Sequence, residues 1–166
     1  NDAFTLLLSS LFFAGHWVTY FYALQISSVA IGMLSLFTFP AITALLEPLY
    51  FQTTFNKRHL FLTFLAIVGL SFMIPEINFS NNNTQGIAWG VISALCYALR
   101  NLTMKSNSQK YDSAVLMFYQ FLFVTLCFAP FLLESNASKT IDSFGHLLFL
   151  GIFTTAIGHT LFVKSF

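Results

Sequence analysis

Charge is the scarcest resource in this sequence. Only 8% of its 166 residues are Asp, Glu, Lys or Arg, against about 25% in soluble domains, and a water-facing surface cannot be assembled from so few. The balance is +1, so neither sign dominates and no bulk attraction to nucleic acid or to an acidic substrate is available. Cysteine is nearly absent as well. Cys96 and Cys127 both sit inside apolar runs, without metal or redox spacing, and read as small buried hydrophobes. The chain has no glycine-rich phosphate loop, no metal-spaced His/Glu pair and no Gly-x-Ser-x-Gly turn. No cofactor and no metal is therefore expected. It has no start methionine and no visible signal peptide.

What the sequence does have is apolar length. Phe occurs 22 times and the mean hydropathy is +0.75. A helix crossing a bilayer needs about 20 mostly apolar residues, and six such runs are present: Phe4–Leu24, Val29–Phe51, Leu60–Ile74, Gly86–Met104, Ser113–Leu133 and His146–Phe166. The third is short and is expected to end at Pro75. Runs of this length are too long for barrel strands, and lipid cannot satisfy the backbone of an open one, so the expectation is an all-α integral membrane protein. Its obligate partner is the lipid bilayer.

The connections carry the sidedness. Ser27 and Ser28 separate the first two runs and offer a cap to the second. Lys57 and Arg58 lie in the second connection, Gln52–His59, and Lys105 and Lys110 in the fourth, Lys105–Tyr111. The first connection is uncharged, the third (Glu76–Gln85) has Glu76 alone, and the fifth sets Lys139 against Glu134 and Asp142. Basic residues alternate from side to side, and the positive-inside rule places the second and fourth connections in the cytoplasm. The Asn-rich stretch Asn78–Thr84 then reads as an external loop. Its Asn78-Phe79-Ser80 and Asn82-Asn83-Thr84 sequons, like Asn136-Ala137-Ser138, are accounted for by composition.

An internal echo links the ends. Gly15-His16-Trp17 in the first run has a counterpart in Gly158-His159-Thr160 in the sixth. The first run heads outward and the sixth inward, so a repeat unit relating them holds an odd number of helices and returns inverted, as in many secondary transporters. Beside this echo stand longer likenesses. His16-Trp17 with Tyr20-Phe21-Tyr22-Ala23-Leu24-Gln25 and Ser28-Val29-Ala30, then Phe39 to Pro48, then Leu65 to Leu70, then Gly86 to Lys105 resemble, in order and spacing, the third to sixth helices of EamA-domain proteins of the drug/metabolite transporter superfamily. The resemblance implies a ten-helix fold of two inverted five-helix repeats with cytoplasmic ends. Residues 1–76 would then hold helices three to five of the first repeat, and residues 84–166 helices six to eight of the second. It implies a piece of a longer protein, lacking helices one, two, nine and ten. It also implies a small-molecule substrate, such as an amino acid or related compound, and a place in a bacterial inner (plasma) membrane. Nothing in the sequence speaks to oligomeric state.

Polar groups at membrane depth are costly and mark candidate sites. His16 and Tyr20 lie one turn apart on one helix face, and His159 holds the pseudo-symmetric place. The three either line a shared midplane site or are satisfied by neighbouring helices. Glu47 and Arg100 both lie about 7–8 Å inside the cytoplasmic boundary by helical rise. They either pair and line a cavity, or Arg100 snorkels to the headgroups. Pro40 falls within the second run and is expected to kink it as a hinge. Gly86, Gly90, Ala94 and Ala98 recur every fourth residue, a spacing that lets helix backbones approach closely. A second class of function stays open beside transport: a non-transporting module such as a scaffold or an intramembrane enzyme, whose mark would be a buried Ser–His pair.

Overall fold

The computed structural model describes residues 2–72, 78, 80–134 and 144–165. The expectations for Pro75, Glu76, Lys139, Asp142 and the Asn136 sequon lie outside the described residues. The described elements are all helical: α1 (Asp2–Ile26), α2 (Val29–Leu36), α3 (Phe39–Phe51), α4 (Lys57–Ser71), α5 (Asn82–Ser108), α6 (Ser113–Glu134), α7 (Phe144–Phe149), a π-helical stretch (Leu150–Ile157) and α8 (Gly158–Lys164). Five stretches are long and apolar enough to cross a membrane: α1, α2 with α3, α5, α6 up to Pro130, and the run Phe144–Lys164. The remaining expected run is the 15-residue α4, shorter than the rest as its sequence indicated.

Local chemistry explains most boundaries. Ser28 caps α2, its Oγ accepting the Ile31 N–H at 3.2 Å, which meets one of the donors a helix start leaves orphaned. α3 ends on Gln52 in the left-handed region, φ 54°, and the Thr53 N–H returns to the Pro48 carbonyl at 3.0 Å, a closure that glycine usually makes.

Three expectations change. The second run is not one kinked helix. It breaks at Phe37 and Thr38, and Pro40 sits in the first turn of α3, where its missing N–H costs nothing. The interior proline of α3 is Pro48, which deprives the Ala44 carbonyl of its usual helical donor. The Asn-rich loop is also shorter than expected, because α5 starts at Asn82. Finally, the last run changes from α to π over Leu150–Ile157 and back to α at Gly158. Thr154 and Thr160 hydroxyls donate to the Leu150 and Ala156 carbonyls, each at 2.6 Å, the local bond that hydroxyl side chains make within helices.

The chain divides into two compact units, Phe12–Leu102 and Asn1–Leu11 with Thr103–Phe166. In the first, α5 supplies the core through Ile87, Ser93, Ala94, Tyr97, Ala98 and Arg100, all buried, at the three- and four-residue spacing of one helix face. Gly86 faces Ser27, and Gly90 faces Ser35 so closely that an added Cβ would stand 2.5 Å from the Ser35 Cβ. α4 lies along α3, with the Thr63 hydroxyl donating to the Ala41 carbonyl at 3.2 Å. In the second unit α6 packs on α8, and Leu116, Met117, Gln120 and Val163 are buried. Large apolar side chains such as Phe61, Phe64, Phe118 and Leu126 are exposed. In a water-soluble protein such a surface would aggregate; in lipid it is the ordinary outer face of a bundle.

Candidate functional site

The first unit holds a buried polar cluster inside a ring of aromatics. His16, on α1, is 3% exposed and Ser93, on α5, is fully enclosed. The His16 Nδ1 and Ser93 Oγ are 2.8 Å apart, and the Ser93 hydroxyl also donates to the His16 backbone carbonyl at 3.0 Å. A hydroxyl has one proton to give. With that proton on the carbonyl, the Nδ1–H tautomer is the one that completes the Nδ1···Oγ bond.

This polarity bears on the enzyme alternative. A buried Ser–His pair is present, but a nucleophilic serine must donate its proton to a basic imidazole nitrogen. Here the serine hydroxyl donates to the His16 carbonyl, and the pair bridges α1 to α5. Among the described residues no group of three or more His, Cys, Asp or Glu could hold a metal ion.

Around the clasp, rings pack in sequence. His16 stacks with Tyr20 (6.0 Å between centroids, 13° between planes) and with Phe13 (6.1 Å, 5°), and meets Tyr97 at 4.8 Å. Phe39, at the start of α3, sits edge-on to Tyr97 at 4.8 Å. Arg100 is completely enclosed. Its guanidinium lies 4.8 Å from the Phe13 ring centre and 5.8 Å from that of Tyr97, and donates to Asn101 Oδ1 at 3.0 Å. It therefore does not snorkel. The planar guanidinium is held against aromatic faces, an arrangement that suits arginine and not lysine.

His16, Tyr20 and Arg100 are thus brought into one cluster. Glu47 is half-buried on α3 beside Pro48, and Pro40 is exposed. Gly86, Gly90, Ala94 and Ala98 are buried on the α5 face that meets α1 and α2. His159 lies in the other unit, half-buried, edge-on to Phe121 at 6.3 Å.

Several polar residues of the interior were missed in the sequence reading. Ser93 is the partner of His16. In the second unit Gln120 is fully enclosed and donates from Nε2 to Ser9 Oγ at 2.8 Å, while Ser9 itself donates to the Leu6 carbonyl at 2.8 Å. The only signal available was a lone polar residue inside an apolar run, which small hydroxyl side chains give constantly because they can bond to their own helix.

An all-helical bundle with apolar outer faces and an enclosed polar cluster defines a polytopic membrane protein. Residues 84–166 match the EamA-like transporter family, and the chain belongs to that family. No curated protein and no solved structure matches it.

Proposed function

We propose that the chain is the central part of a secondary transporter that moves small organic metabolites, amino acids or related compounds among them, by alternating access between inverted repeats. On this reading residues 1–76 and 84–166 belong to successive repeats, the protein is no enzyme, and its membrane is a bacterial inner membrane. The observation that carries the proposal is the His16–Ser93 clasp with Tyr20, Tyr97 and Arg100 around it. Polar and cationic groups at membrane depth are retained where a substrate or ion pathway needs them, and in inverted-repeat carriers that place is near the midplane. The contact of Asp2 with Lys110 and Tyr111, each at 3.0 Å, supports the topology. It sets the start of α1 beside the α5–α6 connection, both on the side that the basic residues assign to the cytoplasm.

The test is uptake by the full-length protein in proteoliposomes, across a panel of amino acids and related compounds, with and without an imposed proton gradient. Saturable flux that falls about tenfold or more in His16→Leu, in protein that still melts cooperatively, is the expected result. No saturable flux with any compound of the panel, or flux indifferent to His16→Leu, overturns the assignment for those substrates. The proposed Glu47–Arg100 ion pair has its own test. Glu47→Arg with Arg100→Glu should transport better than either single change, and equal or worse transport excludes direct pairing.

A further inference from the structure

A different site lies in the first unit, on the outer face of α4 where that helix begins. Lys57 and Arg58 open the helix, and Asn56 before them accepts the Arg58 N–H on its Oδ1 at 2.9 Å. Both basic side chains are exposed. Among the described residues neither is paired with a carboxylate, whereas Lys110 meets Asp2 and Arg100 rests on rings. An open cleft of about 440 Å³ lies here, lined by Lys57, Arg58, Phe61 and Leu62.

The packing of α4 decides which way these residues face. Thr63 is buried and donates to the Ala41 carbonyl of α3. At about 100° per residue, Lys57, Phe61, Arg58 and Leu62 fall within an arc of about 140° centred opposite Thr63. Each cation stands one turn from an apolar side chain, Lys57 from Phe61 and Arg58 from Leu62. Phe61 and Leu62 are both exposed, and Leu65, exposed as well, continues the arc along the span. The face therefore carries two unpaired positive charges at the mouth of a span and apolar groups directly beneath them.

The basic residues assign this connection to the cytoplasm, where the leaflet surface is negative and attracts Lys and Arg placed beside a span. Charge complementarity then selects the occupant. A free anion would meet the two cations and leave Phe61 and Leu62 uncovered. A zwitterionic lipid would cover the apolar pair but bring its own cation to the same place. An anionic phospholipid meets both requirements with one molecule.

We infer that the outer face of α4 is a binding site for an anionic phospholipid of the cytoplasmic leaflet, with its phosphodiester on Lys57 and Arg58 and an acyl chain along Phe61, Leu62 and Leu65. The test uses the full-length protein in a neutral detergent. Phosphatidylglycerol is the probe, and phosphatidylcholine with the same acyl chains is its counterpart. Native mass spectrometry reads retention, and thermal unfolding reads stabilisation. Wild type should hold phosphatidylglycerol more tightly and melt higher with it than with phosphatidylcholine. Lys57→Gln and Arg58→Gln should each weaken phosphatidylglycerol about fivefold, the worth of one basic residue at an anionic surface, and together about twenty-five-fold. The lipid-free Tm should stay unchanged, because both side chains are exposed. The exchange Lys57→Arg with Arg58→Lys keeps both charges and should keep the binding. Lys164→Gln removes the same charge from an exposed position in the other unit and should leave phosphatidylglycerol binding as it was. The inference is overturned if wild type holds the two lipids equally, or if the double Gln variant binds phosphatidylglycerol as wild type does. It is also overturned if Lys164→Gln weakens binding as much as Lys57→Gln, which would make the attraction one of net charge, or if inorganic phosphate raises the Tm as far as phosphatidylglycerol. None of these readouts depends on transport, so they stand or fall apart from the transporter assignment.

Discussion

Gly90 offers a sharp test of how the helices of the first unit are held. In Gly90→Ala the new Cβ would meet the Ser35 Cβ at 2.5 Å and the Gly32 carbonyl oxygen at 3.5 Å. The first distance is far inside van der Waals contact, and the atom met is a Cβ anchored to backbone, not the far end of a flexible side chain. α2 must move away from α5. Overpacking of this kind costs about 1–3 kcal/mol, while alanine recovers about 1 kcal/mol of helix propensity over glycine. The net expectation is a loss of roughly 0–2 kcal/mol. Gly15→Ala is the internal control, because its Cβ would stand 3.6 Å from Cys96 Sγ, ordinary contact; only the propensity gain remains, and stability should hold or rise. The decisive measurement is a double-mutant cycle by thermal or chemical unfolding in detergent. Ser35→Gly removes the opposing Cβ, so Gly90→Ala should cost less in that background by about 1–3 kcal/mol. If the two changes add with no coupling, or if Gly15→Ala is as damaging as Gly90→Ala, the close approach of α2 to α5 is not what these glycines serve.

Further outcomes follow from single contacts. Gln52→Gly should stabilise the chain by about 1 kcal/mol in the same assay, because the left-handed conformation at φ 54° penalises any side chain with a Cβ. Ser93→Ala should cost about 1–3 kcal/mol, since it removes the hydroxyl that meets the buried His16 Nδ1; restoring the hydroxyl as Ser93→Thr should recover part of it. Arg100→Lys should lower the Tm, because an ammonium cannot lie flat on Phe13 and Tyr97 as the guanidinium does. For Lys110, hydrogen bonding to Asp2 and the charge of that carboxylate hold the ammonium above its ordinary pKa of 10.5. A raised pKa in the folded state adds stability below the ordinary value and loses it as pH rises through the raised one. Wild type should therefore lose more of its Tm than Lys110→Met on going from about pH 9 to about pH 12, and equal losses would mean that the exposed pair contributes nothing.

How much was legible beforehand differs by feature. The spans were read from apolar length alone, because the bilayer imposes a single requirement on every residue of a crossing helix. Ser28 was read as a cap for the same local reason. Pro40 shows the limit. Its lack of an N–H disfavours a continuous helix, but whether the chain bends at the proline or restarts before it depends on neighbouring packing; here it restarts, and Pro40 falls where its missing donor is harmless. The π-helical stretch Leu150–Ile157 contains Gly151 and ends at Gly158, but glycines stand equally in the regular helix α5, so they did not announce it. For the candidate site, His16, Tyr20 and Arg100 stood out as polar groups in apolar runs. Ser93, Gln120 and Asn107 did not, since their partners or lack of one lie on other helices.

Scarce charge and apolar runs of spanning length are enough to specify an all-helical membrane protein, because they leave no other way to satisfy the backbone in lipid. The same runs carry a few polar side chains to membrane depth. What those side chains meet there is a matter of how the helices pack. The His16 ring is clasped by a serine 77 positions away in sequence, Arg100 rests on rings and not at the headgroups, and the Asn107 Nδ2 is buried without a partner. Such pairings depend on helix rotation and on side chains brought together from distant positions, and those are set by packing between helices, about which the periodicity of any one helix is silent.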